Sequence, residues 1–168
     1  MVTTDSRPDL ETGWIDTPVG RLRAVTTGRG VRALLWPGHP PHLVRFASDP
    51  TPVADSPLLA ELGAQLASYF AGERRTFDLP LDLTGTPFQL EVWAALGRIP
   101  FGATITYGEL AGLLGRPGSA RAVGTAVGRN PVSIIVPCHR VVGADGSLTG
   151  FAGGLDVKAR LLELEAAR

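Results

Sequence analysis

The chain has 168 residues, 44% hydrophobic and 19% charged, with a formal net charge of zero. That is enough chain for one compact core or two small ones, and the neutral balance excludes a partner chosen by global charge, so any nucleic-acid surface must be local. A single cysteine excludes an internal disulfide framework and a multi-cysteine metal site. Residues 1–10 lack a signal-peptide core and no apolar run is long enough to span a bilayer, so a cytoplasmic protein with a reduced thiol and no membrane partner is expected.

Residues 1–10 read as a loose tail. Trp14-Ile15-Asp16-Thr17 reads as a strand that stops at the turn signal Pro18-Val19-Gly20. Leu22 to Thr26 alternates and ends at Gly28-Arg29-Gly30, and Val31 to Trp36 is a third apolar run. Together they outline a small antiparallel meander. The Pro-rich stretch 37–57 is expected to be irregular, with a short helical piece over 42–46. Apolar residues at 58, 59, 62, 66, 69 and 70 have helical spacing. Phe77 to Leu83 alternates and reads as a strand or linker.

After Leu83 the character changes. Thr86-Pro87 is a helix start, with Thr as N-cap and Pro at the first helical position, and the helix runs to about Gly97. Thr106 and Glu109 have the spacing of a capping box for a helix reaching about Leu114. Arg116 to Ser119 is a turn, Ser119 is expected to cap a helix from Ala120 to about Gly128, and Asn130-Pro131 ends it. Helix, Gly-containing turn and helix make a helix-turn-helix outline. Ser133 to Val136 is a short β-branched run, and Val157 to Ala167 is a closing helix. The expected class is α/β in the α+β sense. A small antiparallel-sheet domain with a helix spans 1–83, and a mostly helical domain with the helix-turn-helix and the cysteine spans 84–168.

Pro137-Cys138-His139-Arg140 carries the chemistry. Only a thiolate attacks, and an imidazole nearby can take the thiol proton. Adjacent side chains on a strand point opposite ways, so Cys138 and His139 cooperate only on a bend, which Pro137 favours. On composition alone the alternative stands that Cys138 is a buried free thiol beside a core histidine. Between Glu109 and Asp145 there is no acid, while Arg116, Arg121, Arg129 and Arg140 all lie there. This is a local charge of the kind that faces phosphates, with a solvated face as the alternative. The second helix of the motif carries Ala120, Ala122, Gly124, Thr125, Ala126 and Gly128. It is poor in residues that read major-groove base edges, which suits binding with little sequence preference.

Ile135-Val136-Pro137-Cys138-His139-Arg140-Val141 resembles the active-site signature of the O6-alkylguanine-DNA alkyltransferases. The likeness continues in Pro100-Phe101-Gly102, Thr106 to Ala111, Ser119 to Gly124, Asn130-Pro131 and Gly153-Gly154-Leu155. It covers about Thr86 to Glu165. Before Thr86 it rests on Thr17-Pro18-Val19-Gly20 and Tyr69-Phe70-Ala71-Gly72. The resemblance implies direct-reversal DNA repair: one irreversible transfer per molecule of an alkyl group from O6-alkylguanine, with O4-alkylthymine left open, to Cys138 after the nucleotide is flipped out of the duplex. It implies His139 as base through a water, Glu165 orienting His139, and Asn130 bracing the turn. Tyr107 would bond the flipped guanine and crowd the 3′ phosphate. Arg121 would enter the base stack from a surface that includes Ala120, Ala122 and Gly124. The carbonyls of Cys138 and Val141 would read the guanine amine, and Phe151, Ala152 and Gly153 would form the pocket loop.

No cofactor is implied, and the implied partner is double-stranded DNA containing alkylated guanine, met at the minor groove; cooperative self-assembly on DNA is left open. Some relatives carry an N-terminal zinc site built from cysteines and histidines; this chain has no cysteine there, and His39 and His42 lack further ligands, so no metal is expected. Lesion-binding relatives without activity have Trp in place of the acceptor, whereas Cys138 is present here. Taken from the residues alone, a non-catalytic helix-turn-helix module and a Cys–His hydrolase are the competing classes.

Overall fold

The computed structural model describes residues 9–39, 44, 46 and 48–167. The expected helical piece over 42–46 lies largely outside them, as does His42. Three strands, β1 (Glu11–Thr17), β2 (Gly20–Thr27) and β3 (Gly30–Leu35), form the expected antiparallel meander. The Pro-rich stretch adds a short strand, β4 (Thr51–Pro52), parallel to β1 at the sheet edge. Helix α1 (Pro57–Phe70) packs across β1 and β2, burying Leu62, Leu66 and Tyr69.

Residues 77–83 do not form a strand. They cross the outer edge of β3, where the Val31 N–H donates to the Pro80 carbonyl at 2.8 Å and the Asp82 N–H donates to the Val31 carbonyl at 2.9 Å. Pro80 has no N–H to continue a ladder, so the pairing stays a single bridge. The same edge then holds the segment that leads to Cys138. The Leu34 N–H donates to the Pro131 carbonyl at 2.8 Å, and the Ser133 N–H to the Leu34 carbonyl at 3.3 Å.

Helix α2 (Pro87–Leu96) starts at Thr86, whose hydroxyl accepts from the Gln89 N–H while the Gln89 side chain accepts from the Thr86 N–H, a full capping box. After the short strand β5 (Ile105–Thr106), the predicted Thr106–Glu109 box starts α3 (Tyr107–Leu113), with bonds of 2.6 and 3.1 Å. Helix α4 (Ala120–Gly128) follows the turn, but Ser119 makes no capping hydrogen bond: its backbone, at φ −95° and ψ 21°, is not extended as a capping residue requires. The Trp93 indole N–H donates to the Ala126 carbonyl at 2.9 Å and fixes α4 on α2. Strand β6 (Val141–Val142) pairs parallel with β5, and α5 (Leu155–Ala166) closes the chain.

One hydrophobic core runs through both halves, from Leu22, Leu34 and Tyr69 to Val92, Leu110, Val123, Val136 and Leu161. Among the described residues, no helix is long and apolar enough to cross a membrane.

Candidate active site

The run Ser133–Val136 is not a strand. The Ile135 N–H donates to the Ser133 carbonyl at 2.9 Å and Ile134 sits at φ 72°, the arrangement of a γ-turn of positive φ. For a β-branched residue this conformation is strained, and Ile134 is buried deeply enough for its surroundings to hold it there. A second, inverse γ-turn follows: the Cys138 N–H donates to the Val136 carbonyl at 2.8 Å across Pro137, at φ −82° and ψ 65°. The chain then makes a 3₁₀ turn over Cys138–Arg140. Cys138 and His139 therefore sit on a bend and not on a strand.

Cys138 is 8% exposed and lies in the wall of a cavity of about 280 Å³, near the lower end of the roughly 300–1,000 Å³ of small-molecule sites. Tyr107, Gly124, Gly128, Asn130, Phe151 and Ala152 share that wall, all of them singled out in the sequence, together with Val127, Ser133 and Gly150, which were not. The Tyr107 ring lies against Gly124, where a Cβ would stand 3.5 Å from it, and its hydroxyl donates to the Thr149 carbonyl at 3.3 Å. Trp36, just past the end of β3, meets Phe151 edge-on at 5.7 Å and covers Gly153 so closely that a Cβ there would come within 2.7 Å of the indole. Gly153 thus supports the loop from behind and is not among the residues lining the cavity.

Behind the cysteine, His139 and Glu165 are buried together. The His139 Nε2 is 2.8 Å from the Glu165 Oε1, and His139 Nδ1 has no protein partner among the described residues. Glu163, the neighbouring acid on α5, is exposed. Glu165 also receives Arg140, through Nε at 2.9 Å to Oε2 and a second guanidinium nitrogen at 2.9 Å to Oε1. The Tyr69 hydroxyl donates to Oε1 at 2.7 Å and the Gly102 N–H to Oε2 at 3.3 Å. Burial pushes the Glu165 pKa up, but the hydrogen bonds from His139 and Arg140 outweigh it and hold the carboxyl at about 2. Burial lowers the His139 pKa in spite of Glu165, and burial raises that of Cys138 in spite of the Asn130 amide and Lys158 nearby. The resting state is a thiol beside a neutral imidazole. With Nε2 donating to the carboxylate, Nδ1 is the free base.

Asn130 bridges two turns of the loop: its amide donates to the Val136 carbonyl at 2.7 Å and its oxygen accepts from the Val132 N–H at 3.0 Å. Lys158, buried on α5, donates to the Val141 carbonyl at 2.6 Å and to the Thr149 carbonyl at 3.0 Å. Val141, expected at the pocket through its carbonyl, is fully buried, and that carbonyl already carries an ammonium. One lone pair remains.

The arginine-rich stretch divides. Arg140 is buried on Glu165, and Arg116 is paired with Glu91 at 2.9 Å and stacked over Phe88. Arg121 and Arg129 stay exposed on or beside α4 and have no ion pair among the described residues, with Ala122 exposed beside Arg121 and Ala120 half-buried. The positive surface is therefore smaller than the sequence suggested. Tyr69, Arg140 and Lys158 were missed as site residues, although a Lys at an apolar face of α5 is a signal that could have been followed. Among the described residues no cluster of three metal-binding side chains occurs.

Comparison with known proteins matches residues 11–83 to the ribonuclease-like domain, and residues 87–167 to the DNA binding domain, of 6-O-methylguanine DNA methyltransferase. The methylated-DNA–protein-cysteine methyltransferase of Mycobacterium tuberculosis is 49% identical over 92% of this chain and 91% of its own length. That of Methanosarcina acetivorans is 54% identical over 68% of this chain and 74% of its own length. The solved structure of Mycobacterium tuberculosis OGT in complex with DNA superposes with a TM-score of 0.83 at 46% identity, covering 94% of this chain and 92% of that one. This chain belongs to the 6-O-methylguanine DNA methyltransferase family.

Proposed function

We infer that this protein repairs DNA by transferring an alkyl group from the O6 atom of guanine to Cys138, once per molecule. The observation that carries the reading is the buried cysteine in the cavity wall with the His139–Glu165 pair behind it, in a chain of this family. The thiol gives its proton to His139 Nδ1, directly or through a water, while Glu165 holds the opposite nitrogen and stabilises the imidazolium. The sulfur forms its bond to the alkyl carbon as the carbon–O6 bond breaks. The electron pair leaves on the guanine, which takes up a proton in turn. Tyr107, at the cavity wall, leaves Thr149 and donates to the guanine ring, stabilising the leaving group. Besides Cys138, the described residues lining the cavity offer only the hydroxyls of Tyr107 and Ser133, and neither is a nucleophile strong enough to cleave a thioether, so the reaction ends there.

The target atom sits inside a duplex, so the nucleotide must be extruded at a cost of a few kcal/mol. Arg121, exposed on α4 and without an ion pair among the described residues, fills the vacated stack. The small residues Ala120, Ala122 and Gly124 let the helix approach the minor groove closely with little sequence preference. Residues 1–83 act as the supporting unit, residues 84–168 carry DNA contact and chemistry, and the lone reduced thiol fits a cytoplasmic setting.

The test is transfer of label from alkylated guanine in duplex DNA to Cys138. One label per protein, with no release of alcohol, is the expected result. Repeated turnover would replace this reading with a thiol hydrolase, and DNA binding without label with a lesion-binding module.

A further inference from the structure

We propose that Tyr69 is a positioning residue of the proton relay, through which the N-terminal half of the chain sets the basicity of His139; this rests on the alkyl-transfer reading above. The hydroxyl of Tyr69 reaches across from α1 and donates to Glu165 Oε1 at 2.7 Å, the same oxygen that receives His139 Nε2 at 2.8 Å. The ring is fully buried and wedged among Phe70, Phe77 and Phe101, with centroids 5.2, 5.4 and 6.1 Å away. A phenylalanine would fill that aromatic niche equally well. What tyrosine adds is one donor aimed at the shared oxygen.

That donor has a defined effect. Each hydrogen bond to the carboxylate withdraws density from Oε1 and makes it a weaker acceptor for the imidazole. Arg140 and the Gly102 N–H fill the rest of the carboxylate, so Glu165 cannot turn to favour one partner. The titratable and charged groups around the pair are Tyr69 from α1, Arg140 and Cys138 from the 3₁₀ turn, and Lys158 from α5. Arg140 and Lys158 both disfavour the imidazolium. Tyr69 works in the same direction without carrying a charge, and burial and then the charge of Glu165 keep its own proton in place at every pH of interest. The imidazole stays neutral, ready to accept the thiol proton.

The experiment is a pH titration of the His139 ring by NMR, together with single-turnover transfer from alkylated DNA as a function of pH. It compares the parent, Tyr69→Phe, and a form with 3-fluorotyrosine placed at position 69 alone. In Tyr69→Phe, the His139 titration and the acid limb of the rate profile both move up by about half a unit to one unit, the size expected for one lost hydrogen bond. The fluorinated phenol is a stronger donor and moves both down, in a side chain of almost unchanged shape, so the proposal stays testable even if Tyr69→Phe fails to fold. Phe77→Leu, which loosens the same aromatic niche but keeps the hydroxyl, leaves both in place. An unmoved titration in both Tyr69 forms, or a shift in Phe77→Leu equal to that in Tyr69→Phe, overturns the proposal and leaves Tyr69 a packing residue. If the parent transfers no alkyl group, the functional reading fails instead, while the NMR titration still decides the role of Tyr69.

Discussion

Asn130 and Val136 lie on opposite sides of the strained turn at Ile134 and are tied by a 2.7 Å hydrogen bond from the Asn130 amide to the Val136 carbonyl. The tie joins the end of α4 to the residue before Pro137-Cys138. Any shift of the cysteine reaches α4, the helix that the proposed scheme sets against DNA, through it.

Alkylation of Cys138 is therefore expected to destabilise the protein. Cys138 is 8% exposed in a packed turn, and extra carbon in such a place costs about 1–3 kcal/mol in strain. The melting temperature of the alkylated protein should fall below that of the free form. An equal or higher value would mean that the turn absorbs the adduct without strain.

Replacing Glu165 by Gln removes the charge that stabilises the imidazolium and is expected to slow transfer by about 10- to 1000-fold. It also strips Arg140 of its counter-charge in a buried site, a change worth about 3–5 kcal/mol of stability. Glu163→Gln, on the exposed face of the same helix, should match the parent in both respects. Single-turnover rates and denaturant melts of the two variants decide the matter, and parent-like behaviour of Glu165→Gln would remove the carboxylate from the mechanism.

Acid should unfold the protein in two windows. Burial holds His139 below its ordinary 6.5, so the unfolded chain binds its proton first, and stability is lost as the pH falls below about 6.5. Glu165, at about 2 against an ordinary 4.5, contributes fully above 4.5 and loses that contribution as the pH falls from 4.5 toward 2, a loss of about 3 kcal/mol at 1.36 kcal/mol per unit. Urea midpoints measured from pH 8 to pH 3 should decline in both ranges. A flat profile would show that the pair exchanges protons as freely folded as unfolded.

Arg121→Ala should impair repair of a lesion in duplex DNA more than attack on the free alkylated base. Its guanidinium makes no ion pair among the described residues, and extrusion is the only step it serves in the proposed scheme. Equal rate losses on the two substrates would contradict that role.

The sequence made local features legible and long-range ones not. The Thr106–Glu109 box and the Cys138-His139 bend follow from neighbours in the chain, because capping and turn chemistry act within a few residues. Ser119 misled, since a capping side chain also needs an extended backbone, which the tight turn after Arg116 denies it. Arg140 was counted toward a positive surface, yet it is neutralised by Glu165 on a helix that arrives later. Tyr69 read as one position of an apolar stripe and as part of a family-like tetrapeptide, and neither announces that its hydroxyl meets a carboxylate near the far end of the chain.

The outer edge of β3 is covered by segments made late in synthesis. Its backbone groups at Val31 and Leu34 are satisfied by Pro80, Asp82, Pro131 and Ser133, all made well after the meander itself. A chain emerging from the ribosome N-terminus first presents β3 as an open edge, the kind of template on which strands from other chains can add. The edge closes only when the segment that leads to Cys138 arrives. Completion of the reactive loop and protection of the nascent sheet against aggregation are thus one event, and a substitution that keeps 131–133 from docking exposes both faults together.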